Sequence, residues 1–272
     1  MYQGLHFQIL GREAAPKLVF LHGLMGSAAN WRKITSLLED SYHILVLDQR
    51  GHGRSHHPKR GYQPEDYAQD LKSLLDHLGW NEILLVGHSM GGRNALEFTH
   101  LWPQRVIKLV LEDIGPEASQ EAIERTEKLL QLVPTPFATR SEAKEFLLQK
   151  FPQLIVNNPQ KEILAQYFYS NIEEKPDGTG DWRFSREGVL ESLHAGRTQD
   201  RWKEFQQLQV PTLIIRGEHS PDLSREIFHL MLARNQKVKG IEIQGAGHWV
   251  HFDKPIEFTQ ALKAFFDNGA NT

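Results

Sequence analysis

A serine held between two glycines, where an apolar run gives way to a helix-compatible run, constrains this chain more than any other feature. The stretch is Gly87-His88-Ser89-Met90-Gly91, with an apolar run at 83–86 before it and a helical pattern at 91–101 after it. A buried strand that turns at once into a helix must pass through a cramped backbone, and the glycines remove side chains that would collide there. The helix N-terminus then directs free N–H groups at any negative charge developing beside the turn. A hydroxyl at that apex can attack a carbonyl, and the pattern is that of a G-x-S-x-G nucleophile turn. A helix cap is the plainer role for such a serine; its position between a strand pattern and a helix pattern favours the nucleophile.

The surrounding rhythm agrees. Short apolar runs at 5–10, 17–21, 42–47, 83–86 and 106–111 read as strands, and the spacing of Leu71, Leu74, Leu75 and Leu78 predicts a helix over 67–78. Strands alternating with helices imply an α/β fold, a mostly parallel sheet covered on both faces. The alternation breaks after Gly115. Amphipathic helices are expected at 121–132, 140–149 and 161–170, punctuated by Pro116, Pro134, Pro136, Pro152 and Pro159, with an exposed turn in EEKPDGTGDWRF. The α/β pattern returns at Pro211 and runs to a final helix near 256–266, after which DNGANT is expected to fray. The expected organisation is a core in two parts, 1–114 and 206–272, with a helical cap, 115–205, inserted over the sheet edge.

A serine nucleophile needs a base. Of 14 histidines, His248 in GAGHW has the best position, in a loop between the last strand and the last helix. Loops at the carboxyl edge of such a sheet reach the ligand crevice. His88 and His22 read as structural, and His52, His56, His57 and His251 have no comparable claim. The histidine needs a carboxylate to fix its tautomer. Asp113 in LEDIGP and Asp222 in RGEHSPDL both follow strands, with Glu112 and Glu218 as lesser candidates, and the residues alone leave the choice open. The oxyanion donors are expected to be the backbone N–H groups of Met90, just after the nucleophile, and of Leu24 in HGLMG.

Other chemistries find little support. The net charge is −3, from 31 basic and 34 acidic residues without a single-sign block, so nucleic acid is not an expected partner. There is no cysteine, which excludes disulfides and thiol catalysis and suits a reducing cytoplasm, the expected location. The start lacks a signal-peptide layout, and no apolar run approaches the ~20 residues that span a bilayer, so stable membrane insertion is not expected. DQRGHGRS lacks the P-loop lysine and no H-E-x-x-H occurs, so neither cofactor nor metal is expected.

HGLMGSAANW, LDQRGHGRS, VGHSMGG, LVLEDIGP and GAGHWVHFDKP, in that order, resemble the α/β-hydrolase superfamily over nearly the whole chain. The resemblance implies an eight-stranded, mostly parallel sheet with a helical cap entering after the sixth strand. Within the superfamily the chain is most similar to small bacterial esterases of the YbfF type and their mammalian relative, abhydrolase domain-containing protein 11. Many members carry the triad acid in a G-x-x-D pattern after the seventh strand; here GEHS puts Ser220 at that position. In the YbfF-like group the acid follows the sixth strand, which implies Asp113, with Asp222 as the alternative.

The implied activity is that of a serine carboxylesterase acting on short- to medium-chain esters, a small-molecule substrate, through an acyl-enzyme. The same serine geometry also serves carbon–carbon bond hydrolases, thioesterases, acyltransferases and lyases, and a non-catalytic binding protein is a further alternative. Trp31, Phe137, Phe146, Phe151, Phe168, Trp182 and Trp249 are candidate pocket aromatics. Arg93 and Arg216 are the candidate basic residues should the substrate be anionic.

Overall fold

The computed structural model describes residues 1–267; residues 268–272, most of the segment expected to fray, lie outside the described residues. Among the described residues nine strands form: β1 (Phe7–Gly11), β2 (Lys17–Leu21), β3 (His43–Leu47), β4 (Ile83–His88), β5 (Val106–Glu112), β6 (Ile172–Glu174), β7 (Gly180–Trp182), β8 (Thr212–Gly217) and β9 (Val238–Ile243). The core helices are α1 (Arg32–Leu38), α2 (Pro64–Leu78) and α3 (Met90–Leu101). The cap carries α4 (Gln120–Gln131), α5 (Arg140–Glu145), α6 (Phe151–Leu154), α7 (Lys161–Ser170) and α8 (Arg186–Arg197). The chain closes with α9 (Trp202–Gln206), α10 (Arg225–Arg234), α11 (Val250–Asp253) and α12 (Pro255–Asp267).

Seven strands make the main sheet, in the order β1-β3-β2-β4-β5-β8-β9, and only β1 runs antiparallel to its neighbour. Eight strands were expected. The segment ahead of β1 makes only an isolated Tyr2–Leu5 bridge, so no further edge strand forms among the described residues and the cap follows the fifth strand of the sheet.

Alternation along each strand divides the core. Val19, Leu21, Ile83 and Leu85 pack on one face against α2, α3 and α10; Leu18, Phe20, Leu84 and Val86 pack on the other against α1 and α12. Burial on both faces explains why β4 reads as an unbroken apolar run and is buried throughout.

Between β5 and β8 the chain leaves the sheet and builds the cap. Ser119 and Ser185 cap α4 and α8 by accepting from the Ala122 and Gly188 N–H groups at 3.1 and 3.0 Å. The cap has its own apolar core of Leu130, Phe137, Leu147, Phe151, Phe168 and Trp182. The stretch expected to be an exposed turn is a short hairpin, with Ile172 opposite Trp182, and Gly180 bridges to Phe137. Among the described residues no helix is long and apolar enough to cross a membrane.

Candidate active site

The parallel sheet brings its carboxyl ends together. His88 at the end of β4 lies in register with Glu112 at the end of β5, and Glu112 with Ile215 in β8. The residues that follow these strands, Ser89, Asp113 and Ser220–Asp222, therefore meet at one edge, where the loop after β9 delivers His248.

Ser89 holds φ +52° and ψ −116°, a left-handed conformation that costs a non-glycine residue of order 1–3 kcal/mol and is retained by its surroundings. Its N–H donates to the Glu112 carbonyl at 3.0 Å. A Cβ on Gly87 would overlap the carbonyl of Gly91, and one on Gly91 would overlap the carbonyl of Leu21, so both flanking glycines are required by close approach. Ser89 and His248 are both largely buried and line one cavity of about 90 Å³, together with Leu24, Met90, Arg93, Asp222 and Trp249 from the core. Thr126, Leu129, Leu164, Leu193 and Arg197 close it from the cap.

His248 is held on both sides. Its Nδ1 donates to Asp113 Oδ2 at 2.8 Å, while Asp222 Oδ2 stands 3.5 Å from the same nitrogen. Its N–H donates to Gln160 Oε1 at 3.1 Å, and its carbonyl accepts from His88 Nε2 at 3.0 Å. Asp113, itself at φ +52°, is fully buried, and its carboxylate also accepts from the Gly217 N–H at 2.9 Å and from the Ser220 hydroxyl. Ser220, at the position of the G-x-x-D aspartate, serves Asp113 as a donor. Asp222 Oδ1 is taken by Arg125 Nη2 at 2.8 Å and Arg197 Nη2 at 3.4 Å.

These contacts set the charge states. Burial disfavours protonated His248, but the charges of Asp222 and Asp113 outweigh it and raise the pKa above the ordinary histidine value. Burial pushes the Asp113 carboxyl upward against the bonds from His248, Ser220 and Gly217. For Asp222 burial is outweighed by His248, Arg197 and Arg125, which leave its carboxyl below the usual value. Burial, with His248 and His251 nearby, holds His88 well below the ordinary value, so it remains neutral.

The loop after β2 is pinned from several directions. His22 Nε2 accepts from the Gln49 N–H at 3.0 Å, His52 Nε2 accepts from the Met25 N–H at 3.1 Å, and the Tyr167 hydroxyl donates to the Leu24 carbonyl at 2.7 Å. Among the described residues no acceptor takes the backbone N–H of Leu24 or of Met90. His52, Tyr167 and Gln160 are positioning groups that sequence reasoning missed; each lies far along the chain from what it holds, and no local pattern marks it.

Other expectations change. Of the seven aromatic candidates only Trp249 lines this cavity. Phe137, Phe151, Phe168 and Trp182 fill the cap core, Phe146 packs against it, and Trp31 lies on the opposite face of the sheet beside Phe20. Arg216 does not face the cavity; it is bonded to the Leu223 and Glu218 carbonyls and to Glu242. Glu112 pairs with His251, and Glu218 accepts from the Gly245 N–H at 2.8 Å. His88, Glu112 and His251 bring metal-ligand-type atoms within 4.8 Å of one another, but both Glu112 oxygens face His251 Nδ1 and His88 Nε2 is committed to His248. The trio is a hydrogen-bonded buttress beneath the site.

The chain as a whole is similar to known proteins. A family model described as alpha/beta hydrolase fold matches residues 16–255. The chain is 30% identical to the mouse (Mus musculus) sn-1-specific diacylglycerol lipase ABHD11, over 96% of this chain and 84% of that protein. It is 28% identical to Esterase YbfF of Escherichia coli K12, over 92% of this chain and 93% of that one. Among solved structures, E-2-(acetamidomethylene)succinate hydrolase superposes with a TM-score of 0.84 at 26% identity, covering 97% of this chain and 95% of the other.

Proposed function

Because this chain belongs to the α/β-hydrolase fold family and is a hydrolase of the serine type, we propose that it is a carboxylesterase with Ser89, His248 and Asp113 as its triad. One observation carries the reading: Asp113 Oδ2 meets His248 Nδ1 at 2.8 Å while the strained Ser89 shares a cavity with that histidine.

Asp113 holds the tautomer in which His248 Nδ1 carries the proton and Nε2 is free. Ser89 Oγ attacks the ester carbonyl carbon as Nε2 takes its proton. The carbonyl oxygen becomes an oxyanion, received by the Leu24 and Met90 N–H groups. Collapse of the tetrahedral species breaks the C–O bond to the alcohol, which leaves with the proton from Nε2. Water then gives its proton to Nε2 and attacks the acyl-enzyme, and the proton returns to Ser89 Oγ as the acid departs. The enclosed volume of about 90 Å³, walled by Leu24, Leu129, Leu164 and Trp249, favours short to medium acyl groups.

A serine-directed phosphonate is expected to label Ser89 in folded protein, and an acyl-length series of activated esters to peak at short or medium chains. No adduct at Ser89 would overturn the mechanism; a flat profile, or a maximum with long chains, would overturn the size preference.

A further inference from the structure

Arg93 follows Ser89 by four residues on α3. Residues at that spacing stack on one helix face, about one turn or 6 Å apart along the axis. The side chain is therefore directed into the cavity rather than to solvent, and it is only 5% exposed. Its Nη2 donates to the Glu117 carbonyl, but Nε and Nη1 have no acceptor among the described residues. Arg197, at the end of α8, enters from the cap, is 7% exposed, and has an Nη1 likewise without an acceptor.

Two buried guanidinium groups in one small cavity, with three unanswered nitrogens, depart from the rule that buried polar groups are bonded. Nearby carboxylates do not complete them. Asp222 is shared among Arg125, Arg197 and His248. Glu117 stands close to both arginines, but its Oε2 bonds to neither. Three guanidinium groups thus face two carboxylates, a deficit of one negative charge. Burial and the charge of Arg197 hold the Arg93 pKa well below the ordinary guanidinium value, the direction expected of a cation whose partner has not arrived.

We propose that Arg93 and Arg197 form a carboxylate-binding subsite beside Ser89, so that the preferred ester carries an anionic group about one helical turn from the scissile carbonyl. The guanidinium fork suits a planar carboxylate, and two forks from different elements fix its orientation. The inference rests on the esterase reading for the bond cleaved but not for the anion bound. It places substrate choice at the seam of core and cap: α3 supplies one donor set and α8 the other.

The test compares the 4-methylumbelliferyl monoester of adipic acid with the same ester of its monoamide, which has nearly the same shape and no charge. For the unmodified protein, kcat/KM is expected to favour the carboxylate at least tenfold, and the preference to shrink with added salt. In Arg93→Gln and Arg197→Gln the ratio is expected to fall to about one, with partial recovery in Arg93→Lys. Thermal unfolding and phosphonate labelling establish that each variant is folded. A ratio near one in the unmodified protein, or a ratio unchanged in folded variants, overturns the subsite and means that solvent alone answers these donors. A second readout is independent of turnover: adipate is expected to raise the Tm of the unmodified protein and of neither glutamine variant. If no ester is cleaved and Ser89 is not labelled, the esterase reading fails; an adipate shift lost in the variants would still sustain the subsite, and its absence would remove both.

Discussion

Two histidine–carboxylate pairs lie side by side under this cleft, and they differ in what surrounds them. Glu112 and Asp113 are neighbours at the end of β5; Glu112 binds His251 Nδ1 at 2.8 Å and Asp113 binds His248 Nδ1 at the same distance. His251 is packed against Trp31, with ring centroids 4.3 Å apart, and against Phe258, and is buried. His248 borders the space that holds Ser89. The same pair of groups is thus a clamp in one place and, in the proposed mechanism, a base with its orienting acid in the other. The difference lies in surroundings: the second imidazole faces the cavity that Ser89 lines, and the first is packed among aromatic rings.

The most severe way to break that comparison is to remove the nucleophile. Ser89→Ala is expected to lower kcat on an activated ester by ~10⁴–10⁶-fold with little change in Tm, since alanine carries the same Cβ and leaves the strained backbone as it is. A comparable rate in the alanine variant would mean that the chemistry lies elsewhere. Next comes the acid. Asp113→Asn should cost ~10³–10⁴-fold in kcat, the size seen when a triad histidine is held in the wrong tautomer. Asp222→Asn should cost less than about tenfold, because at 3.5 Å from His248 it contributes charge rather than the orienting bond. The reverse order would make Asp222 the triad acid.

The other pair sharpens the contrast through stability. Glu112→Ala leaves the His251 N–H and Nδ1 without their buried acceptor, at an expected cost of about 3 kcal/mol measured by denaturant unfolding. Turnover per phosphonate-titrated serine should stay within a few-fold, and a thousandfold loss would assign Glu112 to the chemistry instead. The smallest expected effect is on pH. His248 must be neutral to act as base, so kcat/KM should rise with pH through its raised pKa. Removing the Asp222 charge withdraws support from the imidazolium, lowers that pKa and moves the rising limb to lower pH. A limb that stays in place, or moves upward, would show that Asp222 does not face the titrating group.

Much of this was legible in the order of residues. The Ser89 turn, the strand–helix rhythm and the His248 loop appear where the sequence places them, because each rests on neighbouring residues: glycines that allow a tight approach, apolar alternation, and caps. The hairpin of β6 and β7 escaped notice because three residues per strand are too few to show alternation. The extra edge strand was expected from resemblance rather than from any pattern in Met1–His6, and only the Tyr2–Leu5 bridge forms there. Arg93 and Arg216 were equal candidates for meeting an anionic substrate, yet one enters the cavity and the other is bound to Glu242.

By itself, the sequence determined that a hydroxyl stands on a strained corner between strand and helix, in an alternating fold interrupted by a helical insertion. These are consequences of backbone sterics and apolar period, which act over a few residues. The tertiary structure alone decided that Asp113 meets His248, that Ser220 serves Asp113, that Glu112 is drawn to His251, and that Arg197 comes to face Arg93. Those partners all lie more than a hundred positions apart, and they meet only when parallel strands align their carboxyl ends and the cap closes over them.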